Sequence, residues 1–243
     1  SMNDLMASLA RALSQERAFS AQAAHELRTP LAAAIAQVQL LATQSDEVTR
    51  PRLLRVERRL SQLSRTVELL LQWSRAQAGI GFDVRPVALD GVIEAVLADL
   101  DPNQRHDLHW DPGPPVGPVL GHVDSLGIIL GNLLSNAWRH AGDGVQVELR
   151  LARTDQHVTI SVIDDGVGVP PERLATIGRP GDAPGDSRRG SGLGLGLALS
   201  SELARQMGAS LRFESPPSGR DRGFAAHLRL ARAERPEGPP PGA

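Results

Sequence analysis

Leu53, Val56, Leu60, Leu63, Val67 and Leu70 recur at intervals of three and four, with Arg, Glu, Gln and Ser between them. That spacing predicts a long amphipathic helix with an a/d seam. Pro51 suits its first turn and Gly79 the position just past its end. An earlier apolar stripe lies at Leu5, Leu9, Phe19, Ala23, Leu27, Leu31, Ala34, Val38 and Leu41, and the polar residues from Thr43 to Arg50 form the connection. Two helices with a short link make an antiparallel hairpin. One hairpin leaves its seam uncovered, and a second copy related by two-fold symmetry covers it with a single self-complementary patch. A homodimeric four-helix bundle is therefore expected; a coiled coil covered within one chain is the alternative.

The pattern changes after Gly79. Residues 3–78 hold two prolines, Pro30 and Pro51, and no glycine, whereas both residue types are dense beyond. That step marks a domain boundary. Alternation at Val145, Val147, Leu149 and Leu151, and at Val158, Ile160 and Val162, predicts two strands. Leu211 to Phe213 and Phe224 to Leu230 predict closing strands, and helical patterns run from Asp124 to Ala141 and from Gly194 to Met207. The expected fold class is α plus α/β. A helical hairpin spans residues 3–79, an α/β sandwich spans 84–231, and a Pro/Gly-rich tail, expected to be disordered, spans 232–243.

Composition narrows the function classes. Among 243 residues, 26 basic and 28 acidic side chains give a net charge of -2, which argues against a nucleic-acid binder that neutralises phosphates. All the basic residues are Arg, a bias without functional weight. The absence of cysteine excludes disulfides, zinc–thiolate sites and thiol nucleophiles. No run approaches the ~18 apolar residues of a membrane span, and no signal peptide is visible. Ser1-Met2 reads as a remnant of tag cleavage, so a native N-terminal region is expected to have been removed.

Candidate chemistry begins on the first helix. At about 100° per residue, Leu31, Ala34 and Val38 stay near Leu27, while His25 and Thr29 fall on the opposite, solvent-facing side. Glu26 adjoins the histidine, placed to accept a proton from one ring nitrogen and leave the other as a nucleophile. Pro30 predicts a bend just beyond.

Three further boxes follow in the second half. Asn132-Leu133-Leu134-Ser135-Asn136-Ala137-Trp138-Arg139-His140 lies on a predicted helix, where Asn132 and Asn136 share a face. Two amide oxygens can converge on a Mg²⁺ that takes its other ligands from phosphate and water, and Arg139 can offset phosphate charge. Asp164-Asp165-Gly166-Val167-Gly168-Val169 follows a strand. A carboxylate there can accept from the exocyclic amine of adenine, while Gly166 and Gly168 let the backbone turn closely around a flat base. Gly190-Ser191-Gly192-Leu193-Gly194-Leu195-Gly196-Leu197 runs into a helix whose first amides can meet phosphate oxygens.

The string His25-Glu26-Leu27-Arg28-Thr29-Pro30-Leu31 resembles the phospho-acceptor box of bacterial sensor histidine kinases. With it, the three later boxes resemble the ATP-binding fold shared by those kinases, type II topoisomerases, heat-shock 90 chaperones and mismatch-repair ATPases. The resemblance spans about residues 12–230. It implies that His25 is phosphorylated from ATP with Mg²⁺, that Glu26 is its acid–base partner, and that Thr29 orients water in dephosphorylating a response regulator. It further implies a nucleotide site at Asn132, Asn136, Arg139, His140, Asp164, Gly166, Gly168, Gly190, Gly192, Leu193, Gly194 and Leu195, the metal being held by Asn136 and Asn132. Where hydrolysing members carry a water-activating glutamate this chain has Asn132, and an amide is no general base.

The implied partners are a second copy and a response-regulator receiver domain, with no nucleic acid. The implied setting is the cytoplasmic part of an inner-membrane sensor, reaching the membrane only through an N-terminal anchor. Two departures stand out. The lid, about Pro170 to Arg189, has Ile177-Gly178-Arg179-Pro180 where an aromatic is usual, and Gln206-Met207-Gly208-Ala209 lacks the usual His-Gly-Gly. A kinase-impaired regulatory binding protein, or one acting mainly as a phosphatase through Thr29, is the alternative.

Overall fold

The computed structural model describes residues 29–77, 83–141, 144–179 and 195–233. They fall into two compact units, one holding residues 29–77 and Leu195, the other residues 83–179 and 196–233.

The first unit is a hairpin of α1 (helical over 29–44) and α2 (Arg50–Gln77). The helix continues through Thr43 and Gln44, beyond the expected start of the connection. Thr43 and Ser45 donate their hydroxyls back to the carbonyls of Leu40 and Leu41, at 2.7 and 2.6 Å. Asp46 then accepts from the Thr49 amide at 2.7 Å and closes the turn into α2. Gln39 reaches Glu57 across the hairpin at 3.3 Å.

The apolar seam divides. Leu53, Leu60 and Val67 are half-buried, whereas Val56 and Leu63 are 45% and 50% exposed. On α1 the inward position is Ala42, and Leu41, expected in the stripe, is exposed.

The second unit runs β1 (Arg85–Val87), α3 (Leu89–Ala98), α4 (Pro102–His106), β2 (Leu108–Trp110), β3 (Val119–Gly121), α5 (Val123–Ala141), β4 (Val147–Arg153), β5 (His157–Asp164), α6 (Pro171–Leu174), α7 (Leu195–Gln206), β6 (Ser210–Glu214) and β7 (Phe224–Ala231). The main sheet has the order β2-β4-β5-β7-β6, and β1 pairs with β3 in a separate ribbon. All the pairings are antiparallel except β2 with β4.

Alternation along the strands makes one face of the sheet apolar: Val147, Leu149, Val158, Ile160, Val162, Ala226, Leu228 and Leu230 are buried. The helices supply the opposing layer. Leu126, Leu130, Leu133, Leu134 and Ala137 of α5 are buried at helical spacing, beside Ile93 of α3 and Leu199 of α7. The other sheet face is polar, and there Ser161 Oγ meets His227 Nδ1 at 2.9 Å while His227 Nε2 lies 3.4 Å from Glu214.

Three sequence expectations change. The strand expected from Val145 begins at Val147, because Gln146 is turned to bond Asp165 through both its backbone groups. Arg232 and Ala233, assigned to the tail, belong to the fold: their amides donate to Gln156 and Pro118 carbonyls, and Ala233 is buried. The expected lid is not all loop. Pro171 presets the first turn of α6, and a turn through Gly178 packs close to Ser201 and Phe213.

Candidate functional site

Asp164 ends the central strand, in register with Val147 of β4 and Phe224 of β7, and is only 4% exposed. A carboxylate there is costly to ionise, and burial pushes its pKa up. The amides of Gly166 and Phe224 pull the other way, Asp165 adds to the rise, and Arg220 opposes it. Asp164 Oδ1 accepts from the Gly166 amide at 3.0 Å. A carboxylate has about four acceptor positions, so capacity remains for a further donor such as an aromatic amine.

The following loop is held from β7's side. Gly168 has φ +73°, and a Cβ on it would lie 2.7 Å from Ser215 Oγ and 2.8 Å from the Gly223 carbonyl oxygen. Only glycine fits there. Ser215 Oγ accepts from the Val169 amide and donates to the Gly223 carbonyl, both at 2.8 Å. Gly166 is buried, while Val167 is 85% exposed, an apolar side chain presented beside a buried carboxylate. Asp165 points away: it accepts from the Gln146 amide at 3.0 Å and lies 3.6 Å from Arg222. Nearby, Glu148 is paired with Arg150 and, at 2.5 Å, with Arg220. Burial alone would raise Glu148, but the two guanidinium groups hold it below its usual range.

On α5, Asn132 and Asn136 are half-buried one turn apart, and Arg139 is exposed. Asn132 Nδ2 donates to the Gly196 carbonyl and to Ser200 Oγ, each at 3.4 Å, and Ser200 Oγ donates to Gly196 at 2.9 Å. Asn132 thus ties α5 to the first turn of α7, which starts at Leu195. His140 lies on the last turn of α5. Thr29 is exposed at the start of the described part of α1. His25, Glu26, Gly190, Gly192, Leu193 and Gly194 lie outside the described residues.

Among the described residues no cluster of three His, Cys, Asp or Glu side chains can hold a metal. A cation here would need most of its ligands from phosphate and water. The neutral amide oxygens of Asn136 and Asn132 suit a hard cation bound in that way.

Sequence reasoning had no role for Ser215, Gly223, Ser200 or Gly196 as a link to α5. Ser215-Pro216-Pro217-Ser218-Gly219 reads as an ordinary turn. The one available signal was Gly223, a glycine immediately before a strand, which points to close backbone approach.

A buried carboxylate at the end of a central strand, a glycine-shaped loop, and two helices joined near the second helix's N-terminus define a nucleotide-binding α/β sandwich. Residues 121–233 match the family described as histidine kinase-, DNA gyrase B-, and HSP90-like ATPase, and residues 15–79 match the His Kinase A (phospho-acceptor) domain. The sensor protein kinase PmrB of Pseudomonas aeruginosa is 33% identical over 183 residues, covering 72% of this chain and 38% of its own length. The signal transduction histidine-protein kinase/phosphatase MprB of Mycolicibacterium smegmatis is 30% identical over 239 residues, covering 94% and 48%. Full-length ShkA, solved in complex with AMPPNP, superposes with a TM-score of 0.63 at 26% identity, covering 89% of this chain and 46% of that one.

The chain belongs to the bacterial two-component sensor histidine kinases, in the region that carries the phospho-acceptor and ATPase domains. It spans less than half the length of these relatives. No described helix is long and apolar enough to cross a membrane.

Proposed function

We propose that this chain transfers the γ-phosphoryl group of ATP to His25 and from there to an aspartate of a response-regulator receiver domain. One ring nitrogen of His25 forms the new P–N bond as the bond to the ADP oxygen breaks, and Glu26 takes the proton from the other nitrogen. Asp164 selects adenine through its exocyclic amine. By the family resemblance, Arg139, His140 and the backbone amides of Gly190, Gly192, Leu193, Gly194 and Leu195 would serve the phosphates. Asn136 and Asn132 would hold Mg²⁺, which when bound neutralises phosphate charge.

The observation that carries this reading is the buried Asp164 with acceptor capacity to spare, at the base of a loop that Gly168 packs tightly against Ser215 and Gly223. The amide at Asn132 supports transfer over hydrolysis, since it supplies no base to activate water. The divided seam of α2 supports a homodimer: Val56 and Leu63 are apolar positions left uncovered within one hairpin. The functional domains are then residues 3–79 and a nucleotide domain from residue 84 to the end of the described chain. The greater length of the relatives supports a cytoplasmic region that follows a membrane-anchored sensor.

Incubation with γ-labelled ATP and Mg²⁺ tests the reading. Acid-labile, base-stable label that disappears in His25→Ala is the expected result; label retained in that variant overturns it. A second activity, dephosphorylation of the regulator through Thr29, is favoured by that residue's exposure and by the kinase/phosphatase name of MprB. Slower loss of phosphate from the regulator with Thr29→Ala than with the parent is the expected outcome.

A further inference from the structure

We propose that Ser215 is a positioning residue of the nucleotide site, its hydroxyl holding the loop from Asp164 to Val169 in the shape that receives the base of ATP. The inference rests on the ATP-binding reading above and assigns a new residue to it.

Two segments far apart in sequence meet at this hydroxyl. It accepts from the Val169 amide, at the end of the loop, and donates to the Gly223 carbonyl, at the entry to β7, both at 2.8 Å. Only a group that is both donor and acceptor serves both partners, and a serine or threonine hydroxyl is the smallest that does. The backbones of the two loops are in close contact. A Cβ at Gly168 would collide with the Ser215 oxygen, and a Cβ at Gly223 would collide with the Asp164 carbonyl. The loop, Ser215 and Gly223 therefore pack as one assembly with Asp164 at its base. The Arg222 to Asp165 pair, which also spans the two loops, is 3.6 Å long and largely exposed, so it restrains the loop weakly.

Both of these bonds of the Ser215 hydroxyl go to backbone, so among the described residues it acts on the site through the backbone it holds. Removing its hydroxyl leaves the Val169 amide and the buried Gly223 carbonyl without this partner. Loosening the loop costs affinity for the base and leaves the reaction of bound ATP unaffected.

The test compares the full chain with Ser215→Ala and Ser215→Thr in three measurements: amide hydrogen exchange of residues 164–169 without nucleotide, affinity for Mg-ADP by calorimetry, and KM and kcat for autophosphorylation. Ser215→Ala is expected to speed exchange in the loop. It should also weaken Mg-ADP binding and raise KM by about tenfold, with kcat at saturating ATP within about twofold of the parent. Ser215→Thr should restore both. Unchanged exchange in Ser215→Ala overturns the proposal, as does faster exchange with unchanged affinity, or equal loss in the threonine variant. A lowered melting temperature with unaltered KM and affinity assigns Ser215 to fold stability alone and likewise overturns it. If the parent itself fails to bind Mg-ADP, the ATP-binding reading has failed and the proposal falls with it, whatever the exchange data show.

Discussion

A methyl group on Gly223 would stand 2.1 Å from the carbonyl oxygen of Asp164. The two residues lie at the end of the longest pairing in the sheet, where β5 and β7 match over eight positions from His157↔Ala231 to Asp164↔Phe224. Gly223 also has φ +109°, which side chains rarely adopt. Gly223→Ala is therefore expected to destabilise the protein by roughly 2 to 4 kcal/mol. Gly219 is the control: φ is +78° there, but nothing lies within 4 Å of a built Cβ, so Gly219→Ala should cost only about 1 kcal/mol. Urea denaturation of both variants separates collision from backbone strain.

Asp164→Asn should uncouple binding from stability. Burial raises the Asp164 pKa, so its ionised form costs folding free energy at neutral pH, a cost the amide does not carry. The variant is expected to stay within about 1 kcal/mol of the parent while losing at least about tenfold in Mg-ADP affinity. The sign is checkable. Stability from a raised carboxylate pKa is present below its unfolded value and lost as pH rises through the folded one. The variant should therefore gain on the parent as pH rises from the acid side. Melting curves and calorimetry at two pH values measure both effects.

Other carboxylates push the other way. The Thr49 amide lowers Asp46, Arg205 lowers Glu202, and Ser218 followed by His227 lowers Glu214, each from an ordinary value of 3.8 or 4.5. A depressed carboxylate contributes stability above its unfolded pKa and loses it as pH falls through the folded one. Unfolding free energy should fall as pH drops below about 4.5, and Arg205→Ala should shallow that slope. A slope unchanged in this variant would remove Glu202 from the account.

Val56 and Leu63 offer the test of assembly. Replacing both with Glu places charge on the uncovered half of the seam while leaving the half-buried Leu53, Leu60 and Val67 unchanged. Sedimentation of the parent as a dimer and of this double variant as a folded monomer is the expected outcome. A dimeric variant would place the interface elsewhere.

Much of this architecture could be read from periodicity. The 3-4 spacing from Leu53 located α2, and alternation around Val158 and Phe224 located β5 and β7, because burial on one face leaves a strong imprint. Short elements left none. α3 carries Gly91 among its apolar residues, and β1, β2 and β3 have three residues each. α4 was signalled only by Asp101 and Gln104, a capping box around Pro102. Within the site, Asp164 and its glycines stood out because chemistry demands those residue types. Ser215 did not, since nothing local distinguishes a serine in a Pro-rich turn from one bonded across 46 residues to Val169. Asn132 was legible as a polar residue on the right helix, but its bond to Gly196 depends on where α7 begins.

The bond from Ser215 to Gly223 closes residues 215–223 into a ring of backbone. Insertions, deletions or exchanges in this stretch can be absorbed at its outer tip, around Ser218 and Gly219, only if both anchors return to the same place. Length variants grafted at the tip should thus be tolerated, whereas displacing either anchor by one residue should abolish nucleotide recognition.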